Sequence, residues 1–154
     1  MKTRPQKNKI METSVESNME TIKFESADDI RVHKGALKML LYAVNYLLKK
    51  LEDAKITNEI DDYTFNIKTF NFGYDFYAYT SIDGVLDKFY SIDIRTMQAN
   101  KNKLRINFDF GFLIATDIIL TDSNEKNKAK ITNIIEECII KSEVKNNKVL
   151  EGVC

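Results

Sequence analysis

The sequence contains few of the residues on which recognisable chemical sites depend. Its 154 residues include no tryptophan, one proline, one histidine, two cysteines and five glycines. Two cysteines and one histidine are too few for a zinc cluster or a disulfide framework, and the glycines stand too far apart for a phosphate-binding loop or a dinucleotide fingerprint. No run approaches the roughly 18 apolar residues of a membrane span. We therefore expect no metal, no cofactor and no membrane partner.

Excess charge of either sign is also absent. The 23 basic residues equal the 23 acidic ones, which argues against a nucleic-acid coat protein and a polybasic membrane binder. The first ten residues contain no apolar segment of the kind found in secretory signals, so we expect a cytoplasmic location, bacterial or in a host cell. Nineteen lysines against four arginines, with many Asn and Ile, indicate AT-rich coding, typical of low-GC bacteria, their phages and plasmids, and some viruses.

Composition changes along the chain predict one domain between two polar ends. Residues 1–24 carry few large apolar groups and are expected to form a disordered leader. Within this leader Met11 and Met19 are alternatives to Met1 as the start of translation. Residues 25–142 are predicted to form a single α+β domain, and residues 143–154 a polar tail that frays.

A helix is predicted at each end of this domain. Ser26 followed by two aspartates is typical of a helix N-cap, and apolar residues spaced by threes and fours predict a helix over about 27–54. A second cap at residues 122–125 begins a helix over about 123–142. Its apolar stripe consists of Ile131, Ile134, Ile135, Cys138 and Ile139.

Between the helices the apolar period changes to two, which predicts strands. One strand is expected around Tyr63–Ile67, followed by a turn near Phe70–Gly73 and two further strands over Tyr74–Ile82 and Val85–Thr96. Asp83-Gly84 between the last two is typical of a tight hairpin turn.

The apolar alternation that begins at Leu104 continues to Ala115, so we predict one long strand there, with a bulge or bend at Gly111. The predicted fold is an α+β domain in which an antiparallel sheet of four to five strands is flanked by an N-terminal and a C-terminal helix.

Both faces of the predicted hairpin are rich in apolar side chains. A two-residue turn at Asp83-Gly84 places Tyr77, Tyr79, Leu86, Tyr90, Ile92 and Ile94 on one face. The other face then carries Phe72, Tyr74, Phe76, Ala78, Val85 and Phe89. Two helices readily cover one face of a small sheet, so the second face needs a partner chain, the tail or a ligand, unless the sheet curls and buries both.

From the two-faced hairpin we predict a small non-catalytic interaction or assembly protein from a phage, virus or mobile element. It would act as a homo-oligomer or as a binder or inhibitor of a larger protein partner. The candidate interface residues are Phe72, Tyr74, Phe76 and Phe89. Phe76→Asp is expected to dissociate a complex formed by this interface and leave the monomer folded, but to unfold a closed monomer.

The order of elements resembles that of the small ring-forming tail-terminator and connector proteins of tailed phages. It is also similar to that of export-chaperone subunits that assemble through their sheets. The resemblance lies in element order alone and implies assembly rather than a reaction.

Binding of a single-stranded nucleic acid or a nucleotide on an aromatic sheet face is the first alternative function. Lys101, Lys103 and Arg105 cluster near aromatic residues, an arrangement found in proteins that stack bases on a sheet. The balanced overall charge argues against this function.

A metal-dependent hydrolase that uses Asp93 and Asp109 is the second alternative. Two strand carboxylates that meet across a sheet can bind Mg²⁺ or divide acid and base roles. Arg95 and Arg105 stand two and four residues away from them, so cross-strand ion pairs are the simpler interpretation. His33, the one histidine, is interpreted as a partly buried helix residue, and we expect no enzyme.

Overall fold

A computed structural model of the chain describes residues 27–70, 73–97, 100 and 102–153, and the side chains within 30–143 of that set. Its elements in chain order are α1 (Ala27–Ile56), β1 (Asp62–Phe70), β2 (Gly73–Ile82), β3 (Val85–Thr96), β4 (Lys103–Asp109), β5 (Leu113–Ile119) and α2 (Asn124–Val153). The predicted leader over residues 1–24, the cap at Ser26, and the candidates Phe72 and Lys101 lie outside the described residues.

Helix α1 confirms the periodicity of its sequence. Of the residues at its three- and four-residue spacing, Leu40, Val44 and Leu47 are almost completely buried. The helix ends where Asn58 adopts a left-handed conformation with φ of 63°, and the amide of Glu59 donates a hydrogen bond to the carbonyl oxygen of Ala54. Asparagine tolerates this conformation better than most residues, so the helix ends here without a glycine.

Helix α2 begins as predicted and is longer than predicted. The hydroxyl oxygen of Ser123 accepts a hydrogen bond from the amide of Lys126 at 3.2 Å, the geometry of an N-cap. Ile131, Ile135 and Cys138 of the apolar stripe are fully buried. The helix continues to Val153, beyond the end expected near residue 142. The fraying of residues 143–154 stays a prediction.

The five strands form one antiparallel sheet in chain order, β1-β2-β3-β4-β5. Each strand pairs with the next, and the turn between β2 and β3 has positive φ at both Asp83 and Gly84, as the hairpin prediction requires. One apolar row crosses all five strands and consists of Ile67, Phe76, Ile92, Phe108 and Ile114. The predicted α+β class with an antiparallel sheet and two flanking helices is confirmed.

The prediction of one long strand from Leu104 to Ala115 is wrong. The chain turns back at Gly111, where φ is 89°, so that Asp109 of β4 pairs with Leu113 of β5. A carboxylate oxygen of Asp109 accepts a hydrogen bond from the amide of Gly111 at 3.0 Å and holds this turn. Apolar residues stand on both sides of the glycine, and the alternation alone did not reveal the reversal.

A bulge in β3 changes the predicted faces of the central hairpin. Tyr79 pairs with Phe89, whereas Ser81 pairs with Leu86, so two residues of β3 stand opposite Thr80. The hydroxyl of the buried Thr80 accepts the hydrogen bond of the Lys88 amide at 3.0 Å, which compensates for the interrupted ladder. Because side chains alternate, one extra residue moves the rest of β3 to the other face.

The expectation that Phe89 shares a face with Tyr74 and Phe76 is therefore wrong. Tyr74 pairs with Ile94 and Phe76 with Ile92, and all four of these side chains are fully buried. Phe89 pairs with Tyr79 on the opposite face and is 40% exposed. Tyr74 and Phe76 belong to the core of the monomer and do not form an exposed interface.

Both helices pack on the same face of the sheet, which we call the inner face. Helix α1 contacts β2 and β3, α2 contacts β4 and β5, and the two helices contact each other. Tyr42 of α1 and Thr132 of α2 share a hydrogen bond between their hydroxyl groups at 2.7 Å, and Glu136 of α2 accepts a hydrogen bond from Tyr46. The opposite side of the sheet is the outer face.

Replacing Phe76 by Ala is expected to lower the free energy of unfolding by about 3–5 kcal/mol, because it leaves a cavity under α1. Ile140→Ala on α2 is the control, since Ile140 is 58% exposed, and it should change stability by less than about 0.5 kcal/mol. Urea unfolding followed by circular dichroism measures both values. Similar losses in the two variants would contradict the burial of Phe76.

Two glycines on the central hairpin provide a matched test of backbone packing. A Cβ atom on Gly73 would lie 1.9 Å from the backbone oxygen of Ile94, whereas one on Gly84 would have no atom within 4 Å. Gly84→Ala should cost about 1–2 kcal/mol, because it places a side chain in a left-handed conformation. Gly73→Ala should cost clearly more, since β2 and β3 must separate. Urea unfolding of both variants tests this order, and equal losses would refute it.

Candidate interaction surface

The outer face is lined by the side chains that alternate with the buried ones. On β2 and β3 these include Asp75, Tyr77, Tyr79, Phe89 and Ser91. The two helices lie on the inner face, so among the described residues no helix covers this surface. The outer face divides into an apolar part near the β2–β3 turn and a charged part toward the opposite end of the strands.

The apolar part is centred on three aromatic rings, which we call the aromatic patch: Tyr77, Tyr79 and Phe89. The ring of Phe89 lies 5.0 Å from that of Tyr79 and 6.0 Å from that of Tyr77, centroid to centroid. Leu86 pairs with Ser81 on the same face and is 70% exposed. These contacts order the rings against one another and leave a contiguous apolar surface toward solvent.

Next to the aromatic patch, an ion pair fixes the middle of the outer face. A guanidinium nitrogen of Arg95 lies 2.6 Å from a carboxylate oxygen of Asp75, and the hydroxyl of Tyr77 donates a hydrogen bond to the same carboxylate at 3.1 Å. Arg95 also lies over the ring of Phe70, and the ammonium group of Lys68 lies 5.8 Å from the centre of the Tyr77 ring. The nearest cations are thus engaged by a carboxylate or by aromatic rings.

Two of the predicted nucleic-acid residues, Lys103 and Arg105, are paired with a carboxylate in the same way. Asp117 of β5 contacts the guanidinium of Arg105 at 3.0 Å and the ammonium of Lys103 at 3.2 Å. The hydrogen bond from Arg105, with a further one from Lys103, lowers the pKa of Asp117. The structure brings Lys103 and Arg105 together around one anion, so Asp117 compensates one of their two positive charges.

Asp93 and Asp109 each have a structural partner. Asp93 accepts a hydrogen bond from the side-chain amide of Asn107 at 2.7 Å, while Asp109 holds the β4–β5 turn. The two lie on the same face but not opposite each other, because Asp93 pairs with Asn107 and Asp109 with Ser91. Within the described part of the chain, no group of three or more His, Cys, Asp or Glu residues has a geometry suited to a metal ion.

The remaining candidates belong to the core. His33 is buried on α1. Burial raises the pKa of Tyr74 to about 12 and that of Cys138 to about 11, so both stay protonated at neutral pH. Over the residues that the structure describes, neither helix is long and apolar enough to cross a membrane.

Of the four predicted interface residues, Phe89 alone is described on the exposed sheet face. The sequence grouped Tyr77, Tyr79 and Leu86 correctly on one face, but assigned the interface to the other. Neither β2 nor β3 carries a glycine or proline near the bulge that would have signalled the register shift.

Comparison with known proteins finds no matching family model, no similar curated protein and no solved structure of matching fold. The resemblance in element order to phage ring proteins and export chaperones receives no support from these searches.

The Asp117 ion pairs predict a pH dependence of stability. The pKa of Asp117 is lower in the folded state than in the unfolded state, so its contribution is present above about pH 4 and is lost as the pH falls through the folded value. The stability difference between wild type and Asp117→Asn should be greatest near neutral pH and should shrink in acid and in high salt. Urea unfolding of both proteins, from neutral pH to below about pH 4, measures this difference in stability. A difference independent of pH would contradict the ion-pair interpretation.

Proposed function

We propose that this chain is a non-catalytic interaction protein that binds a protein partner through the outer face of its sheet. One observation carries the proposal: both helices cover the inner face, while the outer face presents the aromatic patch and the exposed Leu86 to solvent. Apolar surface of this kind on a sheet typically marks a binding site.

The charges of the outer face support a protein partner over a nucleic acid. Phosphate binding requires cations that are available to replace counterions. Arg95 is paired with Asp75, and Lys103 and Arg105 are paired with Asp117. A nucleic acid would compete with Asp75 and Asp117 for these cations, whereas a protein partner can pack on the rings and leave the pairs intact.

The non-catalytic part of the proposal is supported by the roles of Asp93 and Asp109. One is bound to Asn107 and the other holds a turn, so a structural function accounts for both. The Lys-, Asn- and Ile-rich composition is the observation behind a phage, viral or mobile-element source. That source and a cytoplasmic location stay predictions.

Site-specific photocrosslinking in the cell that naturally makes this protein tests the proposed surface. With p-benzoylphenylalanine in place of Phe89, we expect a covalent adduct to a protein, either a second copy of this chain or a different chain. The same group in place of Ile140, which is exposed on α2, should give no such adduct. If every adduct formed from position 89 is also formed from position 140, or if position 89 forms none, the proposal is overturned.

The nucleic-acid alternative is tested on the purified protein. Fluorescence anisotropy with labelled single-stranded DNA and RNA should show no binding at moderate salt. Asp117→Asn removes the shared anion of Lys103 and Arg105 and should increase binding. Salt-dependent binding by the wild type that is lost in Phe89→Ala would favour base stacking on the patch instead.

A further inference from the structure

We infer that the occupant of the outer face is a second copy of this chain, which gives a twofold dimer with sheet packed against sheet and the helices outside. This inference rests on the proposed function, because it assigns a partner to the same surface. Three properties of the outer face carry it: its size, its charge balance and its position opposite both helices.

The outer face is large enough for a stable dimer. Five strands spaced by about 4.8 Å and at least seven residues long, at about 3.4 Å per residue, cover about 24 Å by 24 Å. Side chains add accessible area to this footprint, and a standard interface buries about 800 Å² on each partner. Two sheets can therefore form a standard interface without any contribution from the helices.

The apolar part of this face exposes several large side chains. At about 200 Å² per aromatic side chain, an exposure of 40% leaves about 80 Å² on each of Tyr79 and Phe89. Leu86 and Leu113 are more exposed, at 70% and 64%, and Leu113 lies on the same face opposite Asp109. Aromatic rings surrounded by polar groups are the usual composition of an interface centre and rim.

The charge of the outer face is self-complementary. By register, four cations lie on it, Lys68, Arg95, Lys103 and Arg105, with five carboxylates, Asp62, Asp75, Asp93, Asp109 and Asp117. The fifth carboxylate, Asp62, is paired with the ammonium group of Lys55 at the end of α1, at 3.2 Å. With Lys55 included, positive and negative charges at this face are equal in number, so it meets its own copy without net repulsion. A strongly acidic or basic partner would find no net charge of opposite sign on this face.

Twofold symmetry fits this arrangement. Most soluble homodimers are closed by a twofold axis, so the same patch is used on both copies. Two sheets packed face to face lie about 10 Å apart and interdigitate their side chains. With the twofold axis passing near the aromatic patch, Phe89 of one copy lies close to Phe89 of the other.

The oligomeric state of the purified full chain tests the inference. Sedimentation velocity and light scattering from low micromolar concentration upward should give twice the monomer mass of 17.8 kDa. Phe89→Asp should raise the dissociation constant at least about tenfold with an unchanged circular dichroism spectrum. Ile140→Asp, a matched exchange on the exposed side of α2, should leave the dimer intact. If Phe89→Asp does not fold, Leu86→Asp replaces it.

Thiol crosslinking tests the geometry. In a Cys154→Ser background, where the remaining Cys138 is buried, a cysteine in place of Phe89 should crosslink between copies with a short bifunctional reagent. A cysteine in place of Asn133, exposed on α2, should not. A dimer that survives Phe89→Asp, or that crosslinks through position 133 instead, overturns the inference.

The two proposals fail in different ways. A wild type that stays monomeric at the highest concentration overturns the second copy as occupant. If photocrosslinks from position 89 to another protein persist in that case, the proposed function stands. If no adducts form at position 89 and the wild type is monomeric, both fall.

Discussion

The bulge opposite Thr80 is the constraint on which the two faces of this sheet depend. Two residues of β3 stand opposite one of β2, and the hydroxyl of Thr80 accepts the displaced hydrogen bond of Lys88. Because an unpaired buried amide costs free energy, this side-chain bond lets the bulge exist in a closely paired hairpin. With it, Ile92 and Ile94 enter the core, and Phe89 turns outward beside Tyr79.

With this register, the side chains of the inner face form the hydrophobic core of the domain. The apolar row through Ile67, Phe76, Ile92, Phe108 and Ile114 lies across all five strands. Helices α1 and α2 cover the central and β5-side parts of this face and contact each other. Burial of this apolar layer under the helices stabilises the fold through the hydrophobic effect. Neither of the described helices covers the outer face.

The outer face combines internally paired charge with apolar surface. Ion pairs such as Asp117 with Arg105 contribute little stability at a solvated surface, but they compensate charge that would otherwise attract phosphates or repel a second copy. What is left for recognition is the aromatic patch. For this reason we propose that the outer face binds a protein, and that its occupant is a second copy of the chain.

The sequence by itself determined the helices, the antiparallel sheet and the Asp83-Gly84 turn, because each depends on local periodicity, capping or backbone preference within a few residues. It did not determine the reversal at Gly111, where apolar residues on both sides allow a strand to continue. Nor did it determine the bulge, which depends on pairing between β2 and β3 and carries no glycine or proline. The register between two strands depends on how they pair and on which of their side chains a helix covers. Only the tertiary structure could therefore decide that Tyr74 and Phe76 are core and that Tyr77, Tyr79 and Phe89 form the surface.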